Sequence, residues 1–296
     1  MCGIVGLMMK HASQRESLGR LLVPMFECMA ERGPDSAGLA VFSDPVPEGQ
    51  RRFSLFQPDC DWPALERAFR EQTRADGPWQ AVANHATLVS SIAPGDLKAW
   101  LAECDPSPHL LSVGRYIDVY KDMGHPSEIS RRYQFSKLAG SHAIGHTRMA
   151  TESAVSPAHA HPFTAGEDFC LVHNGSLSNP YMLRRRLEAQ NLHFETDNDT
   201  EAACRFIEWR MQQGQQLDQA LQTAFTELDG FYTLLIATES QLTLVRDAFA
   251  CKPAVVAETD DYVAISSEFR SLAHLPGVAD ANIFEPLPEE IYSWKV

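Results

Sequence analysis

The second residue of the chain is a cysteine, and its position gives the thiol a chemistry that few cysteines have. Cys2 directly follows Met1. Because the cysteine side chain is small, we expect an aminopeptidase to remove Met1 and leave Cys2 as the first residue. Its α-amine would then have a pKa of about 7.7–8.0, so one residue supplies both a nucleophilic thiol and a general base. The alternative interpretation is a small apolar residue that opens a buried strand.

Further polar groups lie in five short motifs that follow Cys2 along the chain. Taken singly, each has an ordinary structural interpretation. Asn174 and Gly175 form the pair most typical of a hairpin turn. Arg148 ends a predicted strand, and Asp199 stands where a helix N-cap is expected. The motifs are RGPDSAG (32–38), GHTRMAT (145–151), HNG (173–175), NDTE (198–201) and SSE (266–268).

Together with Cys2, these motifs resemble those of the class II glutamine amidotransferases, which are N-terminal nucleophile hydrolases. They occur in the family's order and span residues 2 to about 268. The resemblance implies an α+β fold, a four-layer α/β/β/α sandwich in which two antiparallel sheets pack between layers of helices. It also implies one amidotransferase domain over residues 2–296. Residues 43–140 are predicted to form an insertion or subdomain, because the family's corresponding stretch is usually much shorter.

The resemblance assigns the catalytic steps to four residues. Cys2 would attack the side-chain amide of L-glutamine and form a γ-glutamyl thioester. The side-chain amide of Asn174 and the backbone N–H of Gly175 would stabilise the oxyanion. In comparable enzymes each such donor stabilises the transition state by about 3–4 kcal/mol. Arg32 would support the nucleophile from its turn, although an arginine there also suits a helix C-terminus.

Three more residues are assigned to the amino-acid end of the substrate. Arg148 would bind the α-carboxylate, for which a planar guanidinium is well suited. Asp199 would bind the α-ammonium group, and Thr151 would contribute nearby. The fine details of this pocket are open, because several family members carry His or Gly where this chain has Glu152 and Ser153.

Composition excludes several other classes of protein. The chain has 296 residues, is 44% hydrophobic and 22% charged, and carries a formal net charge of −14. Such a charge disfavours nucleic acid and anionic membranes as partners. No apolar run reaches the roughly 20 residues of a membrane helix, and Met1–Met9 lacks the basic start of a signal peptide. We therefore expect a cytoplasmic protein.

Metal and cofactor sites are not predicted for this chain. Its seven cysteines form no C-x-x-C pair, which disfavours a zinc ribbon, an iron–sulfur cluster or a disulfide framework. The histidines also lack the spacing of a zinc site. His159 and His161 alternate along a predicted extended loop, and we expect them to be structural or solvated.

Hydrophobic periodicity predicts the elements that must position these groups. Leucine and methionine residues recur at helical spacing from Leu18 to Met29, where Pro24 should kink the helix or mark a late start. Further helices are predicted near 62–75, 96–104, 180–190, 200–213 and 216–228, with a short one from 268. Strands are predicted at 2–9, 36–42, 142–148, 169–173, 231–238, 242–247, 254–258 and 262–266.

The acceptor of the ammonia has to be inferred separately. The sequence contains no phosphate-binding loop and no phosphoribosyl-binding segment that would bind an acceptor substrate. We expect a glutaminase subunit that passes ammonia to separate synthase subunits. In overall make-up the chain resembles the amidotransferase subunits of glutamate-synthase-like enzymes, including N-methylglutamate synthase. There the partners would carry FMN and an iron–sulfur cluster, and residues 43–140 would serve as a docking surface or a lid.

Two other functions stay open at this point. The first is a self-sufficient hydrolase of a γ-glutamyl or other linear amide, since Cys2 would serve that reaction equally well. The second is a non-catalytic glutamine sensor, because a fold alone does not guarantee activity.

Overall fold

The structure, a computed structural model, describes residues 2–149 and 156–296. Strands dominate this part of the chain. The strands are β1 (Gly3–Met9), β2 (Ser36–Phe42), β3 (Arg51–Phe56), β4 (Trp79–Val82), β5 (His85–Ser90), β6 (His109–Gly114), β7 (Ile117–Met123), β8 (His142–Arg148), β9 (Phe163–Thr164), β10 (Phe169–Leu177), β11 (Gly230–Thr238), β12 (Gln241–Arg246), β13 (Val255–Glu258), β14 (Tyr262–Ser266), β15 (Asn282–Phe284) and β16 (Ile291–Lys295).

The helices fall into groups between these strands. They are α1 (Leu18–Cys28), α2 (Trp62–Thr73), α3 (Pro94–Ala102), α4 (Pro126–Arg132), α5 (Pro180–Glu188), α6 (Asp199–Gln212) and α7 (Leu217–Glu227). Among the described residues, no helix combines the length and the apolar character that crossing a membrane requires.

Two antiparallel sheets face each other at the centre of the fold. The first has seven strands in the order β15-β13-β14-β1-β8-β2-β7, and the second has five in the order β16-β12-β11-β10-β9. Side chains alternate along β1, so Ile4 and Met8 pack between the sheets with Val172 and Leu235 of the second sheet. This inter-sheet core holds the two middle layers together.

Helices cover the outer face of each sheet. Val5 and Leu7 point away from the inter-sheet core and pack against Leu22 and Phe26 of α1. On the far side, the five-stranded sheet packs against α5, α6 and α7 through residues such as Phe206. The predicted four-layer α/β/β/α arrangement is therefore confirmed.

Pro24 lies inside α1, which runs without interruption from Leu18 to Cys28. Proline has no N–H to donate, so the helix loses one internal hydrogen bond at this position. Burial of Leu22, Met25 and Phe26 against the sheet compensates for that loss. The prediction of a late helix start is therefore wrong.

A third sheet of four strands, in the order β4-β5-β3-β6, is built from residues between β2 and β7. It has its own apolar core, in which Phe53 and Leu88 of the sheet pack with Phe69 of α2 and Trp100 of α3. Two further elements of the 43–140 stretch, β7 and α4, belong to the main sandwich. β7 is the edge strand of the seven-stranded sheet, paired with β2, and Ile129 of α4 is buried in the same core as α1.

Strand register brings the motifs to one end of the seven-stranded sheet. Gly3 at the start of β1 pairs with Thr147 near the end of β8, and Arg148 pairs with Ser36 at the start of β2. On the other side of β1, Val5 pairs with Ser266 at the end of β14. Because all these pairs are antiparallel, residues far apart in sequence meet beside Cys2.

Candidate active site

The backbone of Cys2 is held by two side chains from distant motifs. Its carbonyl oxygen accepts a hydrogen bond from Nε of Arg32 at 2.9 Å and another from Nδ2 of Asn174 at 3.2 Å. The next residues enter β1, where the N–H of Ile4 donates to Oγ of Ser267 at 3.0 Å. The backbone of the half-buried Cys2 is therefore held by polar groups of two predicted motifs, and a third motif holds Ile4.

Arg32 is itself clamped by an acidic residue from the end of the fold. Its Nη1 lies 2.8 Å from Oε1 of Glu268, whose other oxygen contacts Nε of Arg270 at 2.7 Å. The hydrogen bond from Arg32 lowers the pKa of Glu268. Burial opposes this effect, but the pKa still lies below its usual range. Glu268 is therefore an anion at neutral pH and orients the guanidinium that holds Cys2.

Gly33 allows the turn after Arg32 to approach β8. A Cβ atom on Gly33 would collide with the backbone of Thr147 and Arg148. The N–H of Asp35 donates to the carbonyl oxygen of Arg148 at 3.1 Å across the same approach. The turn thus requires glycine for steric reasons, and it joins two of the motifs directly.

Asn174 and Gly175 lie within β10, where they pair with Thr233 and Tyr232 of β11. The hairpin-turn interpretation of this pair is therefore wrong. Gly175 has φ of 157°, and a Cβ atom there would collide with the backbone of Phe231. The strand can therefore hold this backbone shape only with glycine.

Cys2, Arg148, Asp199 and Gly175 line one open cleft of about 510 Å³. Arg148 ends β8 and is only 5% exposed, so it is not the solvated surface arginine of the ordinary interpretation. The structure therefore brings the predicted nucleophile, guanidinium and carboxylate to a common space. Lys252 and Asp197 add one charge of each sign to the lining.

Asp199 is the first residue of α6, and Asn198 is the N-cap, because its side chain accepts a hydrogen bond from the N–H of Thr200 at 2.9 Å. The interpretation of Asp199 as the cap is therefore wrong. One carboxylate oxygen of Asp199 accepts from the N–H of Leu177 at 2.9 Å. The side chain keeps partial exposure to the cleft, where it offers a negative charge.

Behind Asp199 lies a buried cluster of three histidines, which the spacing of the histidines did not reveal. The rings of His146 and His161 stack with centroids 3.9 Å apart, and Nδ1 of His161 accepts from the N–H of His173 at 3.2 Å. The hydroxyl of Thr200 joins Nδ1 of His173 at 2.9 Å and Nε2 of His161 at 3.3 Å. The prediction for His161 was structural or solvated, and the structure shows the buried, structural alternative.

Burial sets the charge of this cluster. It lowers the pKa of His146 to about 3 and that of His161 well below the usual value. Burial likewise lowers the pKa of His173, against the opposing effect of the Asp199 carboxylate 3.7 Å away. All three rings are therefore neutral at pH 7, and the negative charge of Asp199 is left for a cation in the cleft.

Thr151 lies outside the described residues. His159, the neighbour of His161 along the loop, does not belong to the cluster and instead places its Nε2 2.7 Å from the carboxylate of Asp197. Among the described residues, no group of three or more His, Cys, Asp or Glu side chains is arranged to hold a metal ion.

Tyr181, Phe231 and Lys252 also line the cleft, and no motif identified them. Tyr181 is 70% exposed and Phe231 is 39% exposed. Nζ of Lys252 lies 5.1 Å from the centroid of the Phe231 ring. These residues come from α5, β11 and the stretch after β12, so only the folded chain brings them together.

Comparisons with known proteins identify the family of this chain. The family model of a glutamine amidotransferase domain matches residues 146–274. The glutamine amidotransferase-like protein GlxB of Rhizobium meliloti is 44% identical over 299 residues, which cover 99% of this chain and 98% of the relative.

Solved structures show the same fold at lower identity. One is described as the allosteric regulatory enzyme of purine biosynthesis, with a TM-score of 0.64 and 20% identity. Another is the glutamine phosphoribosylpyrophosphate amidotransferase of B. subtilis, with a TM-score of 0.62 and 19% identity. Both matches cover 99% of this chain but only 46% and 49% of the solved chains. The chain belongs to the class II glutamine amidotransferase family.

Proposed function

We propose that this chain hydrolyses L-glutamine to L-glutamate and ammonia through a thioester on Cys2, as the glutaminase subunit of a larger synthase. The observation that carries the proposal is the common cleft of Cys2, Arg148 and Asp199. A guanidinium and a carboxylate on one cleft match the two charges of a free amino acid. A linear amide without those charges would make neither contact.

The reaction begins after removal of Met1, when the free α-amine of Cys2 accepts the thiol proton. The thiolate attacks the side-chain amide carbon of glutamine and forms a tetrahedral oxyanion. The Nδ2 of Asn174 and the N–H of Gly175 are assigned to stabilise that oxyanion. Collapse breaks the C–N bond, and the amine returns the proton to the leaving ammonia.

Hydrolysis of the thioester completes the cycle. Water attacks the acyl carbon, the Cys2 amine takes its proton, and the sulfur leaves as L-glutamate forms. During both steps Arg148 would hold the α-carboxylate and Asp199 the α-ammonium group. Thr151 is assigned a place beside that clamp by the resemblance alone.

The acceptor of the ammonia is proposed to be a separate synthase of the glutamate-synthase type, including N-methylglutamate synthase, with FMN and an iron–sulfur cluster on the partner subunits. Exposed Tyr181 and Phe231 at the cleft support a partner that covers the opening. Large exposed aromatic groups around a cleft commonly mark an interaction site. Ammonia released there would pass to the partner instead of the solvent.

The catalytic part is tested by replacing the nucleophile. Cys2→Ala is expected to abolish ammonia release from glutamine, and Cys2→Ser to leave little, because an alcohol is a poorer nucleophile at neutral pH. Cys104→Ala serves as the control, since Cys104 packs against the core of the four-stranded sheet and lies away from the cleft lining. Full activity with Met1 still attached, measured together with intact mass, would contradict the proposal.

The partner is tested by purification of the native complex. We expect synthase subunits to co-purify with the wild-type chain and glutamine turnover to rise when they are present. Tyr181→Ser and Phe231→Ser should weaken that association, whereas Phe269→Ser, a change at an exposed residue outside the cleft lining, should not. Rapid turnover by the isolated chain, unchanged by any partner, would favour a self-sufficient hydrolase.

A further inference from the structure

A second cavity lies between the four-stranded sheet and α6. It has a volume of about 160 Å³ and is lined by Ser112 of β6, Lys121 of β7, Thr164 of β9 and Glu201 and Arg205 of α6, among others. It shares no lining residue with the catalytic cleft. A ligand in this cavity would therefore occupy a site of its own.

Lys121 places a buried positive charge in this cavity. The residue is only 5% exposed, and its Nζ lies 4.7 Å from the centroid of the Phe163 ring. Among residues 2–149 and 156–296, its ammonium group forms no hydrogen bond or ion pair, and the carboxylates of Glu195 and Glu201 act on it only from a distance. Contact with an aromatic face compensates only part of the cost of removing an ammonium group from water.

The other charges of the cavity are already matched. Nζ of Lys98 lies 2.8 Å from Glu195, and Nε of Arg205 lies 2.9 Å from Glu201. Glu201 also accepts from the backbone N–H groups of Glu195 and Thr196. Glu195 and Glu201 also attract Lys121 through space, but these three basic and two acidic side chains leave the lining with one net positive charge, so the cavity favours an anion.

A second polar group in the lining also lacks a partner. Ser112 is 3% exposed, and its hydroxyl has no hydrogen bond among the described residues. Buried hydroxyl groups are normally hydrogen-bonded. An ammonium group and a hydroxyl, both without partners at one cavity, suit a ligand that has several acceptor oxygens.

We propose that this cavity binds a compact oxyanion, a small carboxylate or a phosphate, with Lys121 as its counter-charge and Ser112 as a hydrogen-bond donor. The size is consistent, because an engineered protein cavity of about 150 Å³ accommodates a molecule of about six heavy atoms. Burial lowers the pKa of Lys121 to about 8, so the free ammonium group is still mostly charged at neutral pH. The site does not depend on the proposed function, because its test measures binding.

Calorimetric titration at about pH 7 tests the site, with inorganic phosphate in one series and acetate in the other. We expect one of the two anions to bind with a Kd of about 1 mM or tighter. The preferred anion shows whether the ligand of the cavity is a phosphate or a carboxylate. Lys121→Met should weaken that binding at least tenfold. Lys137→Met should change it less than threefold, because Lys137 is an exposed lysine outside the cavity lining.

Failure of both anions to bind the wild-type chain, or equal binding to Lys121→Met, would overturn the proposal. If Lys121→Met does not fold, Ser112→Ala takes its place, with an expected weakening of about threefold to tenfold for one lost hydrogen bond. If phosphate is the preferred anion, crystals soaked in selenate give an independent check. An anomalous selenium peak about 4 Å from Nζ of Lys121, with a selenate oxygen within hydrogen-bond distance, then supports the site, and a cavity without such a peak contradicts it.

Discussion

Nδ2 of Asn174 donates a hydrogen bond to the carbonyl oxygen of Cys2 at 3.2 Å, although 172 positions separate the two residues. The amide assigned to the oxyanion is therefore tied to the residue that carries the nucleophile. A shift of β10 against β1 would have to break this hydrogen bond. This coupling keeps the attacking sulfur and the oxyanion donor in register.

Asn174→Ala should lower kcat for glutamine hydrolysis by about 100-fold to 1000-fold and leave KM within about threefold, because an oxyanion donor acts mainly in the transition state. Steady-state ammonia release measures both constants. Asn282→Ala is the control, since Asn282 is exposed on β15. An equal rise in KM without loss of kcat would remove Asn174 from the oxyanion site.

Arg148→Lys should raise KM for glutamine at least tenfold, which corresponds to about 1.4 kcal/mol. A lysine keeps the charge but loses the two parallel donors that match a carboxylate. Arg185→Lys changes an exposed arginine of α5 and should leave KM unaltered.

A substrate change makes the same test more specific. Glutamine with its α-carboxylate converted to a carboxamide should be a poor substrate for the wild-type enzyme. The penalty should be smaller for Arg148→Lys, because that variant has already lost the carboxylate contact. Equal penalties in the two enzymes would place the carboxylate elsewhere.

Arg32 is predicted to act as a positioning residue through its hydrogen bond to Cys2. Arg32→Met should lower kcat at least tenfold with little change in KM, because Cys2 loses one of its two carbonyl contacts. Arg32→Lys should recover part of the loss. Arg270→Met, which removes the second and more exposed partner of Glu268, should have almost no effect on kcat.

Acid should destabilise the fold through its buried histidines. Burial lowers the pKa of His85 to about 4 and the pKa values of His142 and His146 to about 3. Below about pH 6.5 the unfolded chain takes up protons at these positions while the folded chain does not. The free energy of unfolding should therefore fall between about pH 6.5 and 3, by about 2 kcal/mol per histidine at pH 5.

Urea denaturation at about pH 7 and pH 5 measures this loss. His142→Phe keeps a ring against Phe42, on which His142 now stacks at 4.4 Å, and should reduce the difference by about 2 kcal/mol. His11→Gln, a change at an exposed residue, should leave the difference as it was. A stability that does not change over this range would mean that the histidines are protonated in the folded chain.

The sequence was most informative where local chemistry and local structure coincide. The predicted helices near 62–75, 96–104 and 200–213 correspond to α2, α3 and α6, because apolar periodicity governs which face of a helix is buried. A late helix start at Pro24, one of the two alternatives, was wrong because packing of α1 outweighed one missing hydrogen bond. Tertiary packing outweighs helix propensity when a helix has a large buried face.

Other features depend on contacts between distant residues. The Asn174–Gly175 pair suggested a turn, but β11 pairs with both residues and extends the strand through them. His146, His161 and His173 come from separate segments, so their spacing gives no sign of the cluster. The extent of the 43–140 segment remains a prediction, yet β7 and α4 show that a deletion of the whole stretch would remove parts of the main sandwich.

β1 is buried along its whole length and has a paired strand on each side. Its amide hydrogens between residues 5 and 9 should exchange with solvent only when the whole domain opens. The strand that follows the nucleophile should therefore not unfold locally, independently of the rest of the domain. On heating, catalytic competence and the native fold should disappear in a single cooperative transition.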